Sequence, residues 1–467
     1  MSMTNPISTG TTRADLDALA ATVRGPVLAG DDPRLADEVA TFNLAITHRP
    51  AVAVGATCAE DVAAAVTWAG RHRLPVAVQA TGHGPVKGAD GALLVTTSRM
   101  REVVVDPDRR TATAAAGARW ADVVAAAAPH GLAPLSGSSS QVGVVGYTLG
   151  GGMGALSRQH GFAADLVESV EIVTADGQVR HLDAEHEPDL FWAVRGGKGN
   201  FGIVTSLEFG LVAVPEIYGG GVFFEGSSAA DVLHAFREWA PALPDQAGTS
   251  VAMLRLPPLE EIPEPLRGTF VVHLRFAWTG AAEQGKRLLG PMLSAGQVIA
   301  PMLATMPYAE ADAIHQDPTD PMPAWERGRL LAELPAEAID NLLAVVGPDV
   351  EIPLAMVELR LMGGALSRQP KVPNAVTGRE AAFSAFVVGP LMPGLENVVP
   401  AVGRGILDAL EPWHTGTAQL NFLGDAHTPE AVAAAWQPDV HRRLLEVKQA
   451  VDPGNTFCHG HALVARD

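Results

Sequence analysis

Beyond residue 50 the chain alternates between short β-branched runs and longer stretches with apolar residues three and four apart, the rhythm of α/β units. Thr57 and Glu60 have the spacing of a capping box, which predicts a helix with Val62, Val66 and Ala69 on one face. Strands are predicted at 75–78, 93–96 and 102–105, with a helix over 119–128. The turn-like TGHGP at 81–85 follows the first of them. Glycine is densest over 142–211, where VGVVGYTLGGGMGAL and RGGKGNFGIV imply that something presses closely on the backbone. From about 216 the segments lengthen, and strand-like runs at 270–278, 355–361, 382–388 and 418–422 predict a second unit with a mixed or antiparallel sheet. An amphipathic helix over 439–450, stopped by DPGN, closes the pattern.

Length and charge bound the function. The 467 residues, 47% apolar and 18% charged, have globular composition, and a single core rarely grows beyond about 300 residues, so two domains are expected. The formal charge of −19 disfavours nucleic acid and anionic membranes as partners. Two cysteines, Cys58 and Cys458, are too few for a disulfide framework or a four-thiolate zinc site, and with no secretory leader or bilayer-length apolar run the chain reads as soluble and cytoplasmic.

Several motifs are ambiguous one by one. Gly150 to Ala155 fits G-x-G-x-x-A, which glycines use to bring a helix N-terminus to a pyrophosphate. The acid about 20 residues on, Asp176, sits in TADG, a turn between two apparent strands, where a nicotinamide-binding Rossmann unit needs a strand end. A Rossmann loop, plain glycine packing and another pyrophosphate-binding loop all stay open. Lys198 in RGGKGN is followed by glycine, where a P-loop needs Ser or Thr, and that reading is rejected. His83 stands between Gly82 and Gly84, open to close approach or simply structural. Cys458, His459 and His461 suggest no metal, since no fourth ligand is indicated.

Taken together, TGHG at 81–84, GYTLGGGMGALSRQHGFAADLV at 146–167, VTADG at 173–177, LFWAVRGGKGNFGIVT at 190–205 and VDPGNTF at 451–457 resemble the berberine bridge enzyme-like FAD-linked oxidases of the vanillyl-alcohol oxidase and p-cresol methylhydroxylase (PCMH) superfamily. The resemblance covers roughly 40–215 and 430–467 and implies an α+β fold. A two-subdomain PCMH-type FAD-binding domain (40–215) would follow an N-terminal helical segment (1–39). A substrate domain with a mainly antiparallel sheet covered by helices (216–428) would come next, and a C-terminal segment (429–467) would return to the FAD domain. It further implies one covalent attachment of FAD, an 8α-histidyl bond at His83. The cofactor would be lined by Thr81, Gly82, Gly84, Pro85, Ser139, Val142, Gly143, Gly146, Tyr147, Gly150, Gly151, Gly154, Gly202, Ile203, Val204 and Asn455. The bicovalent members carry a cysteine where this chain has Ser139, which excludes a second, thioether link.

The chain departs from that family in places. Gln79-Ala80-Thr81-Gly82-His83 replaces Arg-Ser-Gly-Gly-His, Val376-Thr377-Gly378-Arg379 replaces Phe-Pro-His-Arg, and Gln419-Leu420-Asn421-Phe422 replaces a segment that supplies a catalytic tyrosine. Glutamine is no general base. Glu358, alternating with Arg360 on one strand before Gly363-Gly364, is therefore the first candidate base, followed by His273 and Tyr308. The expected activity is that of an FAD oxidase, with hydride leaving a C–H bond beside O or N and electrons passing to O2 to give H2O2. Met253, Leu254, Phe276, Trp278, Met356, Leu361, Met362 and Phe422 would suit a bulky, partly apolar secondary-metabolite intermediate. A sugar oxidase, a flavin dehydrogenase with another acceptor, a nicotinamide dehydrogenase and a non-catalytic flavin carrier stand as alternatives; oligomeric state is not legible.

Overall fold

The computed structural model describes residues 12–464. The first sheet contains β1 (Val27–Ala29), β2 (Val52–Gly55), β3 (Val76–Gln79) and β4 (Leu93–Thr96) in the order β1-β2-β4-β3. β4 lies parallel to both β2 and β3. Such strands are covered on both faces and read as continuous apolar runs, and every residue of β2 and β4 is buried. Helix Ala59–His72 makes the crossover, with Val62, Val66 and Ala69 fully buried. Its start differs from the capping box expected at Thr57 and Glu60. The helix begins one residue later than that spacing requires, so Asp61, not Glu60, turns back to accept from the Thr57 N–H (2.9 Å), the Thr57 hydroxyl (2.8 Å) and the Arg24 N–H (2.8 Å).

The second sheet is antiparallel throughout, β5-β6-β9-β7-β8, from β5 (Val103–Asp106), β6 (Thr111–Ala115), β7 (Val167–Val173), β8 (Val179–Leu182) and β9 (Ile203–Gly210). Asp176 lies in the turn between β7 and β8, and Gly150–Gly154 trails the short helix Val144–Leu149 instead of opening one. Neither half of a Rossmann unit is present there.

The third sheet has seven antiparallel strands in the order β13-β10-β12-β11-β15-β16-β14: β10 (Glu216–Glu225), β11 (Ala247–Arg255), β12 (Phe270–Trp278), β13 (Val298–Pro307), β14 (Ala324–Leu331), β15 (Met356–Leu361) and β16 (Phe383–Pro390). Alternation divides its faces. Val251, Val272, Leu274, Val357, Leu359, Ala385 and Val387 bury one face beneath helices Ala229–Trp239, Ala336–Val346 and Val398–Asp408. Directly paired residues point the same way, so Arg275, Ser250, Arg360 and Ser384 form one row of the opposite face, and His273, Ala252, Glu358 and Phe386 the next. Thus the sheet is apolar beneath its helices and ionic on the other side.

The strand expected at 418–422 is absent. Ala418 and Leu420 are buried because they cross the second sheet's core, and the segment makes only a helical turn, Leu420–Phe422. Helix Pro438–Val451 packs against Pro188–Gly197, with Leu444 and Val447 in the second core, and Phe457 reaches the first. Among the described residues no helix is long and apolar enough to cross a membrane, and no three His, Cys, Asp or Glu side chains are placed to hold a metal.

Candidate active site

The first wall of the site is the loop leaving β3. Gly82 adopts φ +70°, and a Cβ there would lie 2.7 Å from Thr41 Cα, so only glycine serves. The N–H groups of Thr81, Gly82, His83 and Gly84 find no acceptor among the described residues. A Cβ on Gly84 would meet nothing within 4 Å. Successive unsatisfied N–H groups bordering open space make an anion cradle. His83 stacks on Phe42 (4.0 Å, 11°), with Nδ1 2.9 Å from Thr81 Oγ1. Burial, and then Arg119, push its imidazole down to about 4, so it is neutral at physiological pH. Gln79 does not join the cradle: its amide donates to the Val39 and Ala40 carbonyls and its oxygen meets His48.

The second wall runs from Gly137 to Gly154. Gly143 stands against Thr81, where an added Cβ would be 3.3 Å from Oγ1, and Gly146 faces open space. Ser139 accepts from the Gln141 N–H, Val142 accepts from the Trp120 N–H, and Ser140 donates twice to Asp312. The Tyr147 ring fills the space a Cβ on Gly137 or Gly152 would need, and its buried hydroxyl has no hydrogen-bond partner among the described residues. Gly154 abuts Ser136 O and Gly202 abuts Val173 O; the Ile203 and Val204 side chains lie in the cores, and Asn455 closes a turn onto Asp452 O.

The ionic face of the third sheet forms the roof. Glu358, 1% exposed, accepts from Ser250 (2.6 Å), Arg275 (2.8 Å) and Arg360 (2.9 Å). Burial pushes its carboxyl up, but Arg360 and Arg275 overcome this and hold it well below the carboxylate range. Arg360 also donates to Met153 O, tying roof to glycine loop. His273 stacks on Phe223 (4.0 Å) and accepts from Arg275; its buried Nε2 has no hydrogen-bond partner among the described residues. Burial, followed by Arg275, depresses both His273 and the neighbouring His315. Tyr308 is spent on Ser136 (2.8 Å), and burial pushes its phenol up to about 12. Of the three candidate bases, then, Glu358 is saturated by cations, His273 is wedged between Phe223 and Arg275, and Tyr308 is held as a neutral donor or acceptor. Met253, Phe276, Trp278 and Leu361 belong to the helix-covered core, because the strand period turns them toward the helices. Phe422 remains at the roof, 4.4 Å from Phe386.

Sequence reasoning did not assign the residues that meet around Gly150. A Cβ there would fall 2.0 Å from Asn421 Oδ1 and 2.6 Å from Lys198 Cε. Asn421 also donates to Tyr147 O (2.8 Å). Glu326 on β14 faces Lys198, burial pushing the acid up to about 7. β14 in turn approaches the His83 loop: Asn43 donates to Ala324 O, and Phe42 O accepts from the Met322 N–H. A lysine inside a glycine run and an Asn in QLNF were the only sequence signals.

Residues 50–183 match the FAD binding domain family. The chain is 29% identical to the uncharacterized FAD-linked oxidoreductase YgaK of Bacillus subtilis, over 93% of this chain and 95% of that one. It is 26% identical to (R)-6-hydroxynicotine oxidase of Paenarthrobacter nicotinovorans, over 94% and 96%. The xylooligosaccharide oxidase of Myceliophthora thermophila shares the fold, with TM-score 0.84 at 20% identity over 97% of this chain and all of that one. The chain is thus an FAD-dependent oxidoreductase with the PCMH-type flavoprotein fold. A berberine bridge enzyme-like protein of Physcomitrella patens shares the fold too, with TM-score 0.82 at 18% identity over 97% of this chain. The donor-rich loop at Thr81–Gly84 and the bare glycine faces at Gly84 and Gly146 fit the diphosphate and ribityl parts of FAD.

Proposed function

We propose that the protein is an oxidase that removes hydride from a C–H bond beside O or N of a small molecule, carries FAD covalently on His83, and passes the electrons to O2, giving H2O2. The observation that carries this reading is the neutral, Phe42-stacked imidazole of His83 at the end of a run of open N–H donors. An uncharged imidazole keeps the lone pair needed to bond a carbon electrophile.

Bound FAD supplies the two-electron acceptor. The N–H groups of Thr81 to Gly84 would hold its diphosphate, while Gly143, Gly146 and Gly150 keep side chains out of its way. Overhead, Arg275 and Arg360 offer guanidinium donors aligned by Glu358, and the Phe386–Phe422 pair offers an aromatic surface. That combination suits an amine or alcohol carried on a ring or another compact frame better than a long apolar molecule, since Met253, Phe276, Trp278 and Leu361 belong to the helix-covered core. The full-length similarity to a hydroxynicotine oxidase supports testing cyclic amines first.

Acid precipitation of purified protein should leave the flavin absorbance in the pellet, and His83→Ala should move it to the supernatant. Colour retained in the H83A pellet would put the bond elsewhere. Anaerobic mixing with cyclic amines, aromatic alcohols and oligosaccharides should bleach the flavin for one class, with stoichiometric peroxide when air is admitted.

A further inference from the structure

Lys198 occupies a backbone conformation that L-residues avoid. Its φ of 54° and ψ of −146° lie close to a region that is essentially glycine's, and both neighbours, Gly197 and Gly199, are glycines. Strain of this kind persists where the surroundings over-determine it, and it clusters at functional sites. The half-buried side chain runs beside Gly150, its Cε 2.6 Å from where a Cβ on that glycine would lie. The buried Lys448 is fully engaged, donating to Asn200 O, Phe457 O and Asp452. Lys198, by contrast, makes no hydrogen bond and no ion pair within 4 Å among the described residues.

Three elements face it. Glu326 projects from β14 on the roof's ionic side, in the row of Val388 and Met356. Asn421 shares the space beside Gly150. His461, from the C-terminal segment, is held by Gly424 O (3.0 Å), with the Arg327–Asp425 pair (3.0 Å) behind it. Burial pushes Lys198 down to about 8 and Glu326 up to about 7, each opposed by the charge of the other, and it pushes His461 down to about 3. Lys198 and Glu326 therefore both exchange protons near neutrality while His461 stays uncharged.

We propose that Lys198 and Glu326 are the acid–base pair of this site, the neutral Lys198 amine taking the O–H or N–H proton of the substrate. The role rests on the flavin-oxidase reading above. In the step, the substrate O–H or N–H bond breaks and an N–H bond forms at Nζ. The C–H electron pair leaves as hydride to the oxidised flavin, and the substrate becomes a carbonyl or imine, two electrons more oxidised. Ionised Glu326 balances the new ammonium. Glu358 is unsuited to this task, since every proton it could take would unpair Arg275 and Arg360.

The test uses the holoprotein. Lysines are labelled with acetic anhydride from pH 6 to 11 and quantified by peptide mass spectrometry; Lys198 should titrate near 8, below the bulk lysines, and lower still in Glu326→Gln. An amine that titrates with the bulk lysines, or is indifferent to E326Q, overturns the pairing. Anaerobic flavin bleaching by substrate should rise with pH through the same midpoint. Lys198→Gly, which relieves the backbone, should unfold at the same or a higher temperature and keep its flavin, yet bleach roughly 10²-fold or more slowly and lose that pH limb. A K198G protein with undiminished rate and wild-type pH profile overturns the role. Wild-type flavin reduced by no amine or alcohol would overturn the oxidase reading and the proton role with it, leaving the labelling midpoint as an independent result.

Discussion

Glu358 illustrates how a single buried charge can be mistaken for a reactive one. Its alternation with Arg360 before a glycine pair marks it in the sequence, and it does sit on the ionic side of the roof. The marks cannot reveal that Arg275, from a strand two places away in the sheet, completes a triad around it. Removing one partner of such a cluster leaves uncompensated buried charge, so Glu358→Gln should cost about 3–5 kcal/mol in urea unfolding at pH 7. The pH dependence has a defined sign. The folded carboxyl is held below its ordinary range, so its stabilisation is complete above the unfolded value of about 4.3 and is lost as pH falls below it toward the folded value. Wild type should therefore lose stability between pH 5 and 3 more steeply than E358Q; parallel curves would show that the charge contributes nothing. Lys198 is the opposite case, a residue whose only advertisement is its presence among glycines.

At the scale of elements, periodicity was the reliable signal. The strand expected at 270–278 coincides with Phe270–Trp278, and the last helix, expected at 439–450, runs Pro438–Val451. Periodicity misled where burial came without a partner strand, as at 418–422. It also could not show what fastens an element in place. The final helix is held by Lys448, whose ammonium reaches Asp452 (2.5 Å), Asn200 O (2.8 Å) and Phe457 O (3.0 Å), while Asp452 accepts from the Thr456 and Phe457 N–H groups. This clasp joins the C-terminal segment to the loop that carries Lys198. Asp452→Ala strands a buried ammonium and two N–H groups, a loss of about 3–5 kcal/mol. Limited proteolysis should then cut beyond residue 451 before the rest of the chain; a D452A protein as resistant as wild type would show that the apolar contacts of Leu444 and Phe457 suffice.

Over the whole molecule, the site lies where the FAD-binding sheets meet the seven-stranded sheet, and its parts come from distant stretches of chain. The glycine loops could be read locally because each carries its own backbone requirement. The convergence of Lys198, Glu326 and Asn421 could not, since it exists only once residues far apart in the chain have folded together. Arginines do much of that docking from positions that a polarity reading puts on the surface: Arg158 donates to Leu243 O, Pro244 O, Ala247 O and Met362 O. Arg379, in the segment that departs from the family pattern, pairs with Asp165 (2.6 Å) over the Phe162 ring, both side chains less than a tenth exposed. If this pair locks the units, Asp165→Asn and Arg379→Met should each destabilise by about 3–5 kcal/mol. The double variant should cost less than their sum, by about 0.5–3 kcal/mol, because the second change removes a charge the first left unpaired. A urea double-mutant cycle on the holoprotein measures this coupling. Strict additivity would mean that Arg379 works through its carbonyl contacts at Leu366 and Arg368 instead, and that the ionic lock between the units lies with Arg360 and the glycine loop.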